Sequence, residues 1–312
     1  MELGTSVPHM GSLANPELML DYCRAADAAG FDALWTADHL VVPREMGSDY
    51  TLRAKPFPMP FEQLRMMMGI NLELNTTLAA AAAVTTNVKL CTGIAVLPIR
   101  NPLANAHQLA SIDLISGGRL VYGVGVGWLK EEADALGMPW DRRGQRSDEI
   151  IALLRTLWTA TGETVEFHGE FYDVPPIDIQ PLPVQRPIPI LVGGHSDVAP
   201  DRVARLGDGW IAAGLGQSRY PEAFERLQRA CEKHGRDVGE LEIVNGEHTD
   251  VMLDAADTDV AGQVEKVLAG LTAYEGLGVT HMKVSIKADS ATGLLEMVDV
   301  YGREVLPAYR AR

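Results

Sequence analysis

Cysteine is scarce in this chain, and long apolar runs are missing. Only three cysteines occur among 312 residues, and an odd, scattered set offers neither a disulfide framework nor the paired ligands of a zinc site. No apolar stretch approaches the roughly 18 residues of a membrane span, and the run at residues 79–84 is far too short. The N-terminus also lacks a basic region followed by an apolar one, so we expect no signal peptide and a cytoplasmic protein.

Positive charge is also in short supply. The 27 lysines and arginines are outnumbered by 42 aspartates and glutamates, which gives a formal net charge of −15. A surface this acidic repels phosphate backbones and anionic lipid, so neither nucleic acid nor a membrane is an expected partner. The sequence contains no G-x-S-x-G, H-E-x-x-H or P-loop motif. This argues against a serine hydrolase, a zinc protease and a P-loop NTPase, and we expect no metal site.

What the sequence does contain is a regular alternation of short apolar strands and helices. A strand at residues 3–7 is followed by Asn15-Pro16, a typical helix start, and Gly30 then ends that helix. The same reasoning along the chain predicts eight strands, at residues 3–7, 31–37, 88–96, 119–124, 189–192, 209–213, 241–253 and 281–286.

Eight strands separated by helices predict an α/β fold with a parallel sheet covered by helices. Eight is also the number that closes a (βα)8 TIM barrel, and we expect one barrel domain over residues 1–312 with insertion loops. An open doubly wound sheet is the alternative, because strand count alone does not distinguish the two. Two proline-rich segments, residues 41–75 and 162–187, interrupt the alternation, and loops this long tend to be functional lids or surface insertions.

Ionisable and flexible residues stand where strands end, which is where TIM-barrel chemistry collects. Asp38 and His39 follow the second strand, and histidine can exchange a proton near neutral pH. A helix-capping aspartate beside a surface histidine is the structural alternative. Gly93 lies inside the third strand, where glycine indicates a bulge, a close approach of a ligand or simple packing.

Glycines also mark the ends of the fourth and fifth strands. The run Gly123–Trp128 fails the dinucleotide fingerprint because Trp128 stands where a glycine is needed. It still leaves a strand end open to a flat ring, with Trp128 as an aromatic wall. Glu131 and Glu132 follow at a helix start and match ordinary compensation of the helix dipole. The turn at residues 193–196 (GGHS) can expose backbone N–H groups to an anion, or it can be a plain strand-to-helix turn.

Taken in order, six segments of the chain resemble the luciferase-like flavin and deazaflavin oxidoreductase family. The resemblance covers nearly the whole chain, and the order of the segments is more specific than any one of them. The segments are AAGFDALWTADH (28–39), VKLCTGIAVLPIRNP (88–102), GGRLVYGVGVGW (117–128), RRGQRSDEI (142–150), PILVGGHS (189–196) and GDGWIAAG (207–214).

The resemblance implies a (βα)8 barrel that holds the ring of a flavin or deazaflavin at the mouth of its strands. It implies a non-proline cis peptide between Gly93 and Ile94, which supports the ring. Asp38 and His39 would lie beside the ring, as the catalytic residues, with His39 as the candidate acid/base. The cofactor contacts implied, besides Asp38, are Gly93, Ile94, Ala95, Gly127, Trp128, Gly193, Gly194, His195 and Ser196, with the cofactor phosphate at the Gly193-Gly194 turn.

Two departures from one branch of the family bear on the activity. Sugar-phosphate dehydrogenases of the deazaflavin branch carry a tryptophan shortly after the histidine, where this chain has Leu40-Val41-Val42-Pro43. They also carry a glutamate in place of Trp128, so both departures argue against that activity. The stretch DHLVVPRE (38–45) instead resembles a deazaflavin subgroup with V-P-R after the histidine, which favours coenzyme F420 over FMN as the cofactor.

We therefore expect an F420-dependent oxidoreductase that transfers a hydride to or from a small organic substrate. The alternatives are an FMN-dependent monooxygenase that uses reduced flavin and dioxygen, and a cofactor-binding protein without turnover. The resemblance also implies a homodimer formed through the helices beside strands two and three. The alanine-rich stretch at residues 78–84 would then make a close contact between subunits, unless it packs on its own barrel.

Overall fold

A computed structural model describes residues 1–45, 68–161, 164–194, 196–212, 214–246 and 249–312 of the chain. Its strands are β1 (Glu2–Ser6), β2 (Ala33–Thr36), β3 (Lys89–Thr92), β4 (Ala95–Val96), β5 (Leu120–Gly125), β6 (Val165–His168), β7 (Asp173–Ile177), β8 (Ile190–Gly193), β9 (Gly209–Ile211), β10 (Glu242–Gly246), β11 (Met252–Asp254) and β12 (His281–Lys287).

Helices lie between most of these strands. They are α1 (Pro16–Ala29), α2 (Leu74–Val84), α3 (Pro102–Ser116), α4 (Lys130–Ala135), α5 (Arg143–Trp158), α6 (Ala199–Leu206), α7 (Tyr220–Lys233), α8 (Val260–Gly276), α9 (Ala291–Val300) and α10 (Leu306–Arg310), with a π-helical turn at Tyr301–Val305 between the last two. In the described part of the chain, none of the helices has the length and apolar character required to cross a membrane.

Eight parallel strands close into a barrel, in the order β1-β2-β3-β5-β8-β9-β10-β12. Closure is made by β12, which pairs with β1 so that Leu3 lies opposite Met282 and Thr5 opposite Val284. The predicted (βα)8 barrel is confirmed, and the open doubly wound sheet is wrong because an open sheet has two unpaired edges.

Helix starts and ends follow the local sequence signals. The Asn15 side chain accepts hydrogen bonds from the N–H groups of Glu17 and Leu18, Pro16 occupies the first helical position, and Gly30 ends α1 in the left-handed conformation. Asn101 caps α3 in the same way. Such caps satisfy backbone groups that a helix end otherwise leaves without partners, which is why these boundaries are readable from the sequence.

The inside of the barrel is filled by side chains. Trp35 lies across the interior, and a Cβ on Gly4 would be 2.5 Å from its Nε1, so β1 needs glycine there. The buried apolar side chains packed in this interior cluster are Ala33, Trp35, Cys91, Val121, Leu191, Ile211 and Val244. A larger core lies between the strands and the helices. The barrel is therefore a packed core, and ligands have room only at its ends.

Some element boundaries differ from the sequence predictions. The predicted strand at residues 241–253 divides into β10 and β11. The predicted irregular segment 162–187 contains the antiparallel β6–β7 hairpin, whose turn is held on α5 because Glu149 accepts hydrogen bonds from three successive backbone N–H groups there. Of the other predicted lid segment, residues 46–67 lie outside the described residues, and its last two residues already belong to α2.

Candidate functional site

Four short segments meet at the carboxyl ends of neighbouring barrel strands. They are residues 37–41 after β2, residues 93–95 after β3, residues 125–128 at the end of β5, and residues 193–194 at the end of β8. Because β2, β3, β5 and β8 are parallel neighbours in the barrel, these segments share one rim. We call this rim the mouth.

His39 lies at the mouth with 13% of its side chain exposed. Its Nδ1 is 2.8 Å from Oε2 of Glu132. Its ring meets Trp128 edge to face, with 6.0 Å between ring centroids and an interplanar angle of 81°. Among the described residues Nε2 has no hydrogen-bond partner.

Glu132, on α4, is a site residue that the sequence interpretation missed. It is only 2% exposed, and its Oε1 accepts hydrogen bonds from the backbone N–H groups of Leu40 (2.6 Å) and Val41 (3.2 Å). Glu132 does lie in the first turn of α4, but its burial and its bonds to the segment after β2 go beyond ordinary compensation of the helix dipole. One signal was available: Glu132 follows Leu129 by three residues and therefore lies on the buried side of this short helix.

The hydrogen bonds of Asp38 do not favour a role as a free base. Its Oδ2 accepts from Nε of Arg100 (2.9 Å) and from the backbone N–H of Val96 (2.9 Å), and its Oδ1 accepts from Nη2 of Arg100 (2.6 Å). Burial tends to lower the pKa of Arg100, but the hydrogen bonds to Asp38 and the charge attraction of Asp38 and Glu73 together outweigh burial and raise that pKa. Both carboxylate oxygens are therefore engaged, and a direct catalytic role for Asp38 stays a prediction that this geometry does not favour.

An apolar ledge spans the centre of the mouth. The peptide between Gly93 and Ile94 is cis, as the resemblance implies. The half-buried Ile94 side chain lies over the neighbouring strands: a Cβ on Gly125 would be 2.7 Å from its Cδ1, and a Cβ on Gly193 would be 2.6 Å from its Cγ2. These two glycines therefore make room for Ile94, which also packs against the interior cluster and against Val96 and Ile99.

The ledge continues into the segment after β5. Gly127 has a φ of +74°, which favours glycine, and a Cβ there would be 2.7 Å from Val96. Trp128, half-buried, stands next to it and contacts His39. Ala95 has no exposed surface and packs in the outer core. Its predicted contact with the cofactor stays a prediction, which this complete burial does not favour.

The Gly193-Gly194 turn is anchored to the next strand of the barrel. Gly194, with a φ of +121°, donates its N–H to the carbonyl of Ile211 (3.2 Å) and accepts from Nε1 of Trp210 (2.7 Å). Ser196 is exposed, and α6 starts three residues later with no side chain capping its N-terminus. His195 lies outside the described residues. The turn leads to the N-terminus of α6, where Ala199 already donates its N–H to the carbonyl of Ser196 (3.0 Å) and Pro200 has no N–H to donate.

Arg202, a positively charged residue that sequence reasoning also missed, lies beside this turn. The 11% exposed side chain of Arg202, on α6, lines a small cleft together with Val126, Ser147 and Gly193. Its Nε donates to Asp148, so the guanidinium has a fixed position between α5 and α6. Spacing along the chain does not indicate this residue, because Arg202 follows the turn by more than one helical turn.

Two other expectations concern histidine and metal. His9 is buried, and its Nδ1 donates to the carbonyl of Val7 (2.8 Å) while Nε2 accepts from the N–H of Ala37 (3.0 Å). It connects the segments that follow β1 and β2, and both of its ring nitrogens are engaged in these hydrogen bonds. Within the described ranges, no three His, Cys, Asp or Glu side chains are grouped so as to hold a metal ion.

Sequence comparisons identify relatives with both flavin and deazaflavin chemistry. The family model described as "Luciferase-like monooxygenase" matches residues 2–283. An uncharacterized protein of Mycobacterium tuberculosis is 37% identical over 213 residues, 68% of this chain and 71% of that protein. An FMNH(2)-dependent dimethylsulfone monooxygenase of Pseudomonas putida is 37% identical over 166 residues, 51% of this chain and 45% of that enzyme. An F420-dependent glucose-6-phosphate dehydrogenase of Beutenbergia cavernae is 31% identical over 235 residues, 73% and 62% of the two chains.

Solved structures with the same architecture include a monooxygenase and an F420-dependent dehydrogenase. The monooxygenase RslO1 from Streptomyces bottropensis superposes with a TM-score of 0.77 at 22% identity, covering 99% of this chain and 100% of that one. An F420-dependent secondary alcohol dehydrogenase, in complex with an F420-acetone adduct, also gives 0.77, at 17% identity and 99% coverage of both chains. At these identities the likeness establishes the fold alone.

Proposed function

Since the chain belongs to the luciferase-like monooxygenase family, we propose that it is an oxidoreductase that binds the deazaflavin coenzyme F420 at the mouth and transfers a hydride between the coenzyme and a small organic substrate. The observation that carries the proposal is the position of His39 at the mouth: its Nδ1 is held by a buried carboxylate, while its Nε2 has no hydrogen-bond partner within the described part of the chain.

The residues at the mouth fit a planar ring. Ile94, flanked by Gly125 and Gly193, offers an apolar surface on which a ring can lie flat. Trp128 and His39 stand at one side of this surface, in edge-to-face contact with each other. Aromatic and aliphatic surfaces with a few convergent polar groups are typical of cofactor sites.

The neighbouring turn fits the phosphate of such a cofactor. The hydroxyl of the exposed Ser196 would hold the phosphate beside the Gly193-Gly194 turn. Arg202 would add a positive charge from the cleft beside Gly193. The ring would then extend from this turn across Ile94 towards His39.

His39 would move the proton that accompanies hydride transfer. When bound, the deazaflavin supplies a ring carbon that accepts or donates the hydride. If the reacting substrate carbon carries an oxygen, its oxidation from alcohol to carbonyl releases the hydroxyl proton, and Nε2 of His39 would take it up. In the reverse direction the same nitrogen would return it. Arg100 and Asp38 would hold the chain that carries His39 in place.

An FMN-dependent monooxygenase is the second candidate. It is supported by the 37% identity with the FMNH(2)-dependent monooxygenase, which extends over half of this chain. The same ledge would accept the ring of FMN, and reduced flavin would react there with dioxygen. His39 would then contact the flavin edge without handling a substrate proton.

Turnover distinguishes the two candidates. We would mix the protein anaerobically with oxidised F420 and a panel of small alcohols, and with reduced F420 and the matching carbonyl compounds, and follow the visible absorbance of the deazaflavin. In parallel, oxygen uptake would be followed with reduced FMN, an external flavin reductase and the same compounds. Substrate-dependent change of the deazaflavin absorbance supports the proposal. Substrate-dependent oxygen uptake, with no reaction in the F420 arm, would replace it with the monooxygenase.

A further inference from the structure

We infer that Glu132 is a positioning residue: its carboxylate determines which nitrogen of His39 carries the proton, so that Nε2 is the atom available to a substrate. The role of Nε2 in catalysis rests on the proposed function. The contact between the two side chains does not, and it can be tested in the protein without cofactor.

Three N–H donors converge on the Glu132 carboxylate. Oε2 lies 2.8 Å from Nδ1 of His39, and Oε1 accepts from the backbone N–H groups of Leu40 at 2.6 Å and Val41 at 3.2 Å. Glu132 is 2% exposed, and hydrogen bonds to a charged group that is withdrawn from water are among the strong ones. One side chain thus fixes both the imidazole of His39 and the backbone that follows it.

This arrangement dictates the tautomer of the imidazole. An ionised carboxylate only accepts hydrogen bonds, so Nδ1 of His39 must carry a hydrogen. In the neutral ring Nε2 is then an acceptor, ready to take a proton from a substrate hydroxyl. When Nε2 has taken that proton, the buried carboxylate stabilises the positive ring, and the same proton can be returned.

Replacing the Glu132 carboxylate by an amide should switch the tautomer of the His39 ring. In Glu132→Gln one oxygen must still satisfy the N–H groups of Leu40 and Val41, since both are donors. The amide nitrogen then faces Nδ1 of His39, and because it is a donor, Nδ1 must become the acceptor. The neutral ring is thereby forced into the tautomer with hydrogen on Nε2, which cannot act as a base at that atom.

The same helix offers a matched control. Asp134 is also an acid on α4, but its side chain is 53% exposed and pairs with Lys130 on the surface. Asp134→Asn removes one negative charge from the helix without touching His39. A general effect of helix charge would appear in both variants, whereas an effect on the imidazole tautomer is expected only in Glu132→Gln.

The experiment is nitrogen-15 NMR of the histidine rings in the full chain without cofactor, at about pH 8.5, well above the ordinary titration range of histidine. The chain has eight histidines, and the His39 signals are assigned by their loss in His39→Asn. We expect the tautomer with hydrogen on Nδ1 in the wild type and in Asp134→Asn, and the tautomer with hydrogen on Nε2 in Glu132→Gln. With cofactor and substrate, Glu132→Gln should lower kcat by roughly 10²-fold or more, with cofactor affinity nearly unchanged.

Two results would overturn the inference: hydrogen on Nε2 of His39 in the wild type, or an unchanged tautomer in Glu132→Gln. The wild-type spectrum alone decides the matter if Glu132→Gln does not fold. Failure of the proposed function looks different, since the tautomer would then switch as expected while F420 shows no binding and no turnover.

Discussion

The guanidinium of Arg100 donates two hydrogen bonds, of 2.9 Å and 2.6 Å, to the carboxylate of Asp38, and the two side chains are 8% and 1% exposed. This buried pair ties the end of β2 to the segment after β4. Both oxygens of the carboxylate that directly precedes His39 are thereby engaged in hydrogen bonds. We therefore expect the pair to matter for stability and for the position of His39.

Removing one partner of this pair should be costly. Arg100→Ala leaves the buried carboxylate of Asp38 without its cation, and such a change typically lowers the free energy of unfolding by about 3–5 kcal/mol. Urea denaturation followed by circular dichroism measures the effect. Arg24→Ala, which removes an exposed partner of Asp21, is the control and should cost about 1 kcal/mol or less. Equal losses in the two variants would show that the buried pair has no special role.

His39→Ala should separate catalysis from binding. Loss of a positioned acid/base typically lowers kcat by roughly 10²- to 10⁴-fold, while the ledge formed by Ile94 and its flanking glycines remains intact for the cofactor. Steady-state kinetics and a cofactor titration on the same preparation measure both quantities. His107→Ala removes an exposed histidine of α3 and should behave as the wild type. A His39→Ala variant with unchanged kcat would contradict the proposed role.

Arg202→Gln should weaken binding of the cofactor through its phosphate. A hydrogen bond to a charged group contributes about 1.5–3 kcal/mol, so we expect a rise in Kd of roughly tenfold or more. The matched control is Arg205→Gln, because Arg205 also binds Asp148 but does not line the cleft with Gly193. A cofactor analogue without its phosphate should bind both variants alike. If Arg202→Gln weakens the analogue as much as the cofactor, the phosphate assignment is wrong.

Gly123→Ala tests the close approach of strands below the mouth. A Cβ on Gly123 would lie 1.9 Å from the carbonyl oxygen of Thr92 and 2.5 Å from Ile211. Overpacking against backbone typically costs 1–3 kcal/mol, so thermal unfolding should occur at a clearly lower temperature. Gly216→Ala is the comparison, since nothing lies within 4 Å of a Cβ there. Similar melting temperatures for Gly123→Ala and the wild type would contradict the packing described.

Protonation of the Glu2 carboxylate, at the end of the barrel opposite the mouth, should lower the stability of the fold in acid. The hydrogen bond with His281 is the largest influence that lowers the pKa of Glu2, to about 2 from 4.5, and Lys89 adds to it. Because the folded-state pKa is depressed, the stabilisation is complete above the unfolded value and is lost as the pH falls from about 4.5 to about 2. Glu2→Gln should flatten the stability profile in that window, as measured by urea denaturation at several pH values. Glu17→Gln, at an exposed position, should leave the profile unchanged.

Much of the fold follows from short-range signals in the sequence. The Asn-Pro starts at Asn15 and Asn101 and the glycine ends at Gly30 and Gly117 locate α1 and α3 because capping is local. Strand positions follow from apolar runs between such signals. The β6–β7 hairpin was not predicted, because proline-rich sequence usually indicates a loop, and the contacts of its turn with Glu149 come from a distant helix.

The candidate site was likewise predicted in part, where local signals mark its residues. His39 and the glycines of the mouth were predicted because they follow strands, and all barrel strands end at one rim. The partners of these residues could not be predicted from spacing. Arg100 lies 62 residues from Asp38, and Glu132 lies 93 residues from His39, so only the closed barrel brings each pair together. These distant contacts determine whether an acidic side chain accepts a proton, caps a helix or positions another side chain.

The most direct test of the proposed cofactor is a paired equilibrium titration of the purified protein with F420 and with FMN, each oxidised and reduced. Quenching of tryptophan fluorescence and the emission of the cofactor report binding, since Trp128 stands at the mouth. We predict that F420 binds with a Kd at least roughly tenfold below that of FMN, a difference of about 1.4 kcal/mol. Tighter binding of FMN, or binding of neither cofactor in either redox state, would contradict the assignment of the mouth as a deazaflavin site.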